Sequence, residues 1–381
     1  MKSLLIALLT VFALSAHAGE NDWTKSEHNY NLKYLYGPDY GYRTGINLTM
    51  RKHVHKITKI LEKKAKLKNG DHVLDIASND GTLLNYYKKK YKTFGVDPLI
   101  QKYSIHYKSI DYKVSSFFSK DKILKKTKKK FKAISALAVF YDLENPNKFL
   151  NDLEKIMHND GIALIEFADM LSMIKFNMFD AICHEHLMYL SSKVFFEMAK
   201  KNNLRVFDIK YNDINGGSAQ YFICKNNSKF RDNNKNLHAA LKKEKEFGLV
   251  KMKTYRDFFI KIRSIKYNLN KILNKIKRKN QSIHAYGAST KGNVLLQYFN
   301  IGNKQIDYVA DRNPSKFNNY TPGTKIKIIS EKMSRKISPN FYLVLPWHFK
   351  KEILNREKET MKKGSQFIFP LPNIKIYKKN S

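Results

Sequence analysis

Cysteine is almost missing from this chain. Its two cysteines, Cys183 and Cys224, lie far apart, and no CxxC pair occurs anywhere in the 381 residues. A zinc ribbon and a disulfide framework are excluded on that count. Acid is scarce as well: 33 Asp and Glu stand against 71 Lys and Arg, a formal net charge of +38. Such a balance favours anionic partners, whether nucleic acid, a membrane surface or phosphorylated substrates. The lysines, however, run the whole length of a chain rich in Lys, Asn and Ile, so the excess reads as compositional bias rather than a binding patch. Long apolar runs are lacking too: nothing after the first residues reaches the ~18 needed to span a membrane. What is present is ordinary for a globular protein, with 43% apolar and 13% aromatic residues, enough for two to three domains with cores of their own.

The start of the chain pulls in another direction. "MKSLLIALLTVFALSAHAGE" has a lysine, an apolar run from Leu4 to Leu14 and small residues before Gly19, the pattern of a secretory signal with cleavage after Ala18. Residues 1–21 are therefore set apart as a signal-like segment.

"HVLDIA" predicts a short buried strand, Ser78 to Gly81 a turn, and Leu83 onward a helix; "TFGVDPL" then predicts a second strand ending in Asp97. Strand, glycine-containing turn, helix and a strand closing on an acid make the first half of a nucleotide-binding α/β unit. The turn lets a ligand approach backbone amides, and the acid can accept from two ribose hydroxyls. Asp75, Ala77, Asn79 and Gly81 follow the D-x-G-x-x-x-G turn of class I methyltransferases, with alanine where the first glycine is usual. Further strand-like runs are "FKAISALAVFYDL", "GIALIEFAD", "LRVFDIKY" and "SAQYFICK", the last two flanking a turn at Gly216 and Gly217. From 233 to 280 the spacing of Tyr255, Phe258, Ile262, Ile265, Leu269, Ile272 and Ile276 predicts an amphipathic helix packed on its own domain. "QSIHAYGASTKGNVLLQYF" and "IDYVADRNPSKF" restart the strand, glycine turn and helix, with Ser289, Thr290 and Lys291 at a helix start suited to an anion. Walker spacing is lacking, so a P-loop is not supported. The expected domains are 22–225, an adenosylmethionine-binding methyltransferase domain; 226–280, a helical connector; and 281–381, a second Rossmann-like α/β domain.

"FDAICHEHLMYLS", Phe179 to Ser191, crowds proton-carrying groups into one stretch. Its spacing is not HExxH and no third ligand stands nearby, so a metal site is not expected. Two readings stay open on the residues alone: histidines that only bond backbone, and a general base oriented by a carboxylate.

Taken together, "YGPDYGYRTGINLTM", "VLDIASNDGTLL", "FGVDP", "FYDLENP", "DAICHEHLMYLS", "NGGSAQYF", "YGASTKGNVLLQY", "VADRNPSKFNNYTPGT" and "PWHFKKEIL" resemble the sugar C-methyltransferase family, in family order over roughly residues 30 to 360. The resemblance implies an S-adenosylmethionine-dependent enzyme that methylates a carbon beside the keto group of a nucleotide-linked deoxysugar. The cysteines of the family's N-terminal zinc-binding module are absent, so no zinc is expected. By similarity His186 is the base and Glu185 its partner. The family often has a tyrosine where this chain has Cys183, and Tyr42 and Tyr189 are the candidate substitutes. Adenosylmethionine is expected on Asp75, Ala77, Asn79, Gly81 and Asp97, and the nucleotide diphosphate on Asn215, Gly216, Gly217, Lys291 and Arg312. The nucleotide-linked keto sugar is the expected partner, and nucleic acid and a membrane span are not expected. The competing functions are an RNA methyltransferase, which needs clustered basic and stacking aromatic residues, and a non-catalytic or exported paralogue. A cytoplasmic location is expected because the methyl donor is made there; export through the signal-like segment is the alternative.

Overall fold

The computed structural model describes residues 32–37 and 40–379. The signal-like segment 1–21 and its cleavage after Ala18 lie outside the described residues. No helix among those described is long and apolar enough to cross a membrane.

The chain forms two compact units. The first takes the described residues up to 170 together with 184–212 and 218–247. Its sheet holds β1 (His72–Ile76), β2 (Lys92–Val96), β3 (Tyr112–Val114), β4 (Phe131–Leu137), β5 (Met157–Phe167), β6 (Leu204–Asn212) and β7 (Ser218–Lys225). The order across the sheet is β3-β2-β1-β4-β5-β7-β6, parallel except where β7 runs against both β5 and β6. This is the class I methyltransferase sheet that the sequence implies. Its central strands β1, β4 and the second half of β5 are almost wholly buried, because both faces are covered. Along β5, Ala163, Ile165 and Phe167 pack into one buried cluster while Ile162 and Leu164 pack into the other.

The order puts β1, next to β2 and β4, at the point where strand succession reverses, and ligands of such sheets sit outside the carboxyl ends of the strands there. The turns after β1, β2 and β4 are thereby gathered at one edge.

The second unit takes 171–183, 213–217 and 248 onward. Its sheet holds β8 (Ile283–Tyr286), β9 (Tyr308–Asp311), β10 (Ile328–Ser330), β11 (Phe341–Val344), β12 (Gln366–Phe369) and β13 (Lys375–Tyr377), in the order β10-β9-β8-β11-β12-β13 with only β13 antiparallel. It is again a doubly wound α/β sheet.

Three local expectations need correction. The predicted helix from Leu83 is only a single tight turn, Leu84–Tyr86. Tyr87 goes extended and is buried with Tyr91, edge to face at 6.1 Å, while Lys88, Lys89 and Lys90 between them face solvent; packing of two rings overrides the local helical pattern. The stretch taken as one connector is two helices, Asn234–Phe247 and Met252–Arg278, parted at Gly248 with φ +77°. They belong to different units, so 226–280 is no separate domain. Along the second helix the buried stripe ends Leu269, Leu273, Ile276, not Leu269, Ile272, Ile276. Both spacings satisfy a helical period, and only tertiary contact decides between them.

Candidate functional site

The turn after β1 runs through left-handed backbone at Ala77 (φ +57°), Asn79 (φ +49°) and Gly81 (φ +72°). At Gly81 a Cβ would meet Ile110 Cδ1 at 2.7 Å and the Tyr107 ring at 3.3 Å, in backbone that favours glycine. Ala77 tolerates a conformation that disfavours any Cβ by about 1–2 kcal/mol. Its amide donates to the Val96 carbonyl at 2.9 Å, which ties the strained residue to β2. Tyr107 underpins the turn from below, its hydroxyl donating to the Asn79 carbonyl at 2.9 Å and lying 2.8 Å from Ser78 Oγ.

Asp97 closes β2. Its two carboxylate oxygens accept from the amides of Asn79 (2.9 Å) and Leu99 (2.7 Å). Burial pushes its pKa up to about 6, against the pull of those two bonds. Asp75 is also buried; Ser135 Oγ donates to it at 2.6 Å, and desolvation pushes its pKa up to about 7. The structure thus brings Asp75, Ala77, Asn79, Gly81 and Asp97 to one edge. A left-handed turn after one strand and a buried carboxyl at the end of the next lie together at this edge of the sheet.

The side chain of Asn79 is spent elsewhere. Its Oδ1 accepts from the Thr44 amide at 3.0 Å, and its Nδ2 donates to the Tyr42 carbonyl at 3.1 Å. Next to it Asp80 accepts from the Gly45 amide at 3.0 Å and pairs with Arg43 at 3.5 Å. Segment 42–45 is therefore clasped to the turn. Tyr42 is held through its backbone, and the residue is 44% exposed.

The stretch around His186 is neither helix nor strand. It leaves the tight turn Phe179–Ala181 and is fixed where Leu187 and Met188 amides donate to the Tyr141 carbonyl at 2.8 and 3.1 Å. Beyond it, Ser191 caps helix Ser192–Lys201, its Oγ accepting from the Val194 amide. The ring of His186 lies 4.1 Å from that of Tyr141, tilted by 45°. A ring nitrogen of His186 and a carboxylate oxygen of Glu185 approach within 4.8 Å. The negative charge of Glu185 acts on Tyr36, Tyr40 and Asp142, helping to raise the pKa of each beyond what burial does. Tyr189 follows in the same pinned stretch.

Three features of this unit were not singled out from sequence. Asp142 follows Tyr141 in a tight turn after β4 and is buried, with the Tyr36 hydroxyl donating to its Oδ2 at 2.8 Å. Glu166 near the end of β5 lies 2.7 Å from His53 Nε2 and accepts from Gln220 (2.6 Å) and Asn212 (3.1 Å), a buried and well-paired carboxylate. Asp80 is the third. Asp142 stands in the quoted "FYDLENP", and an acid inside a run of aromatic and apolar residues was its one visible signal.

In the second unit, Asn215 (φ +56°), Gly216 (φ +97°) and Gly217 (φ +146°) form a sharp turn. Lys291 Nζ donates to the Asn215 carbonyl at 3.1 Å, and a Cβ on Gly216 would strike Trp347 Cη2 at 2.6 Å. Trp347 Nε1 in turn donates to Asp180 Oδ2 at 2.8 Å. Asp180 Oδ1 and His348 Nδ1 are buried without hydrogen-bond partners. Burial, and then the Lys291 charge, holds His348 well below its usual pKa. Lys291 sits in the first turn of helix Thr290–Phe299, which Ser289 caps by accepting from the Gly292 amide at 3.1 Å. Arg312 is 3.7 Å from Glu352, and its side chain is 41% exposed.

A methyltransferase domain family matches residues 39–209, and the C-methyltransferase C-terminal domain family matches 213–372. The C-methyltransferase NovU of Streptomyces niveus is 24% identical over 353 residues, covering 91% of this chain and 84% of its own. Among solved structures, the plantazolicin methyltransferase BamL aligns with a TM-score of 0.41 at 13% identity, over 58% of this chain and 99% of its own. An S-adenosylmethionine-dependent methyltransferase of Clostridium acetobutylicum aligns at 0.38 and 11%, over 46% of this chain and 92% of its own. These two likenesses are too distant to bear on the chemistry here.

Proposed function

We propose that this chain, an S-adenosylmethionine-dependent C-methyltransferase, methylates the carbon beside the ketone of a nucleotide-linked deoxysugar. The observation that carries the reading is His186, packed against Tyr141 and within reach of the Glu185 carboxylate. A carbon beside a ketone is only weakly acidic, so a positioned base has to remove its proton. A histidine with a carboxylate neighbour suits that work near neutral pH. Glu185 supports the imidazolium once the proton has moved, and Tyr141 fixes the plane of the ring. Adenosylmethionine, when bound, supplies an electrophilic methyl group. Gly81 and the left-handed backbone around it admit the donor to the edge of the sheet, and Asp97 accepts from its ribose hydroxyls. Asp75, Ala77 and Asn79 shape that turn. In the second unit Lys291 and Arg312, with Asn215, Gly216 and Gly217, are the proposed binders of the nucleotide diphosphate. We place the reaction in the cytoplasm, where the donor is made; fractionation that finds a periplasmic chain cleaved after Ala18 would overturn this.

The test is His186→Ala. It is expected to lose on the order of 10²–10⁴ in turnover while adenosylmethionine binding, followed by calorimetry, stays near wild type. In deuterated water the wild type should exchange the proton beside the ketone, and His186→Ala should not. Exchange by His186→Ala at the wild-type rate removes the base from this residue.

A further inference from the structure

Asp142 carries more than a structural bond. One of its oxygens accepts from Tyr36 at 2.8 Å, and the other, Oδ1, is buried with no hydrogen-bond partner. An ionised carboxylate in that position leaves a buried, charged oxygen with no protein donor, a costly arrangement for a polar group. The charged and titratable groups acting on it give no relief. Tyr36 is a neutral donor from the N-terminal segment, Glu185 is a second acid from the His186 stretch, and Tyr40 is a further phenol. Among the described residues, the groups that shift its titration include no cation. Burial, and then the Glu185 charge, raise the pKa of Asp142 well above the ordinary carboxyl range, against the Tyr36 bond. With the proton on Oδ1 the two oxygens divide their roles: Oδ2 accepts from Tyr36, and Oδ1–H is a donor still lacking an acceptor. Asp142 immediately follows Tyr141, whose ring touches His186 and whose carbonyl anchors the strand of chain beyond it. Asp142 is thus one residue from the ring that packs on the proposed base.

Resting on the reaction proposed above, we propose that Asp142 acts in its neutral acid form as the hydrogen-bond donor to the substrate's keto oxygen, with Tyr36 holding the carboxyl in place. His186 takes the proton from the carbon beside the ketone. The C–H pair becomes a C=C bond, and the carbonyl π pair moves to oxygen, where negative charge collects against Asp142 Oδ1–H. The enolate carbon then attacks the sulfonium methyl. A C–C bond forms, the S–C bond breaks with its pair going to sulfur, and the C=O is restored. Asp142 keeps its proton throughout, and the proton on His186 leaves to water. A donor aimed at charge that develops only in the transition state is the kind of contact whose loss costs about 10²–10³ in turnover.

Two variants separate this role from a structural one. Asp142→Asn keeps size, neutrality and a donor; Asp142→Leu keeps bulk and loses every polar atom. Both are first checked for adenosylmethionine binding and melting temperature. Infrared difference spectra of the full chain, wild type minus Asp142→Asn, should show a protonated carboxyl at neutral pH. With thymidine diphosphate 4-keto-6-deoxyglucose and a panel of other nucleotide-linked keto sugars, Asp142→Asn should keep turnover within about tenfold, while a folded Asp142→Leu loses about 10²–10³. Proton exchange in deuterated water should fall in the same order, and the alkaline limb of the wild-type pH profile should vanish in Asp142→Asn. The proposal fails if Asp142→Asn falls as far as Asp142→Leu, if a folded Asp142→Leu keeps wild-type turnover, or if the carboxyl is ionised at neutral pH. Each of these leaves methyl transfer by the wild type standing. A wild type that binds adenosylmethionine but acts on no member of the panel removes the sugar reaction itself, and the donor role with it.

Discussion

Ala77 is a residue working against its own side chain. With φ at +57° in a turn where glycine is usual, it bears a steric penalty that Gly would not. Gly, however, has more freedom to lose on folding, by about 0.4–1 kcal/mol. Ala77→Gly is therefore expected to leave the melting temperature unchanged or slightly higher, and Ala77→Val to lower it clearly, since a β-branched residue suits left-handed backbone least. Calorimetric melting of the three proteins decides this. At the same scale, Asp97→Ala removes a buried acceptor proposed for a ribose. It should weaken adenosylmethionine by about 1.5–3 kcal/mol, read by titration calorimetry; unchanged affinity would remove Asp97 from the cofactor site.

Elements make a second set of expectations. On helix Met252–Arg278 the buried residue is Leu273, with Ile272 only half covered. Leu273→Ala should cost about 2–5 kcal/mol in urea unfolding, and Ile272→Ala distinctly less; equal costs would mean the helix packs in another register. Gly216→Ala places a methyl against the Trp347 ring in backbone that resists it, and should destabilise by about 1–3 kcal/mol. The strands were legible in the sequence because both-face burial writes itself as continuous apolar runs. The ends of β1 and β2, with Asp75, Gly81 and Asp97, were legible because a motif fixes their spacing. What was not legible came from contacts between distant residues. Tyr36 and Asp142 are 106 positions apart, and Asp180 and Trp347 are 167 apart. No local pattern relates either pair, and the choice of Leu273 over Ile272 is likewise made by the partner surface rather than the helix.

Over the whole molecule, charge and burial pull pH dependence in opposite directions. A chain already at +38 gains further positive charge on acidification, and self-repulsion then disfavours the compact state. Asp75 contributes with the other sign. Its folded pKa, pushed up to about 7, lies above the unfolded value of about 4, so the folded chain binds the extra proton in between. Its contribution to stability is complete below about pH 4 and is lost as pH rises through about 7. Asp75→Asn, which carries no titrating proton, should flatten the stability profile between those limits relative to wild type, while the repulsive part, common to both, cancels in the difference. Identical profiles in denaturant titrations from pH 4 to 8 would show that Asp75 is not protonated in the fold.

The clasp between Asn79, Asp80 and segment 42–45 makes the turn after β1 a fastening as well as the proposed cradle of the methyl donor. Arg43, within the fastened stretch, is a cleavage point for trypsin, and a protease needs several residues of extended, released chain to cut. The rate of that cut therefore measures how often the fastening opens. Whatever steadies the turn steadies the segment, and by thermodynamic reciprocity the segment steadies the turn to the same degree. Adenosylmethionine should slow trypsin at Arg43 in proportion to its occupancy. A chain nicked there should hold the donor less tightly, so a proteolytic clock reads cofactor occupancy with no need of a sugar substrate.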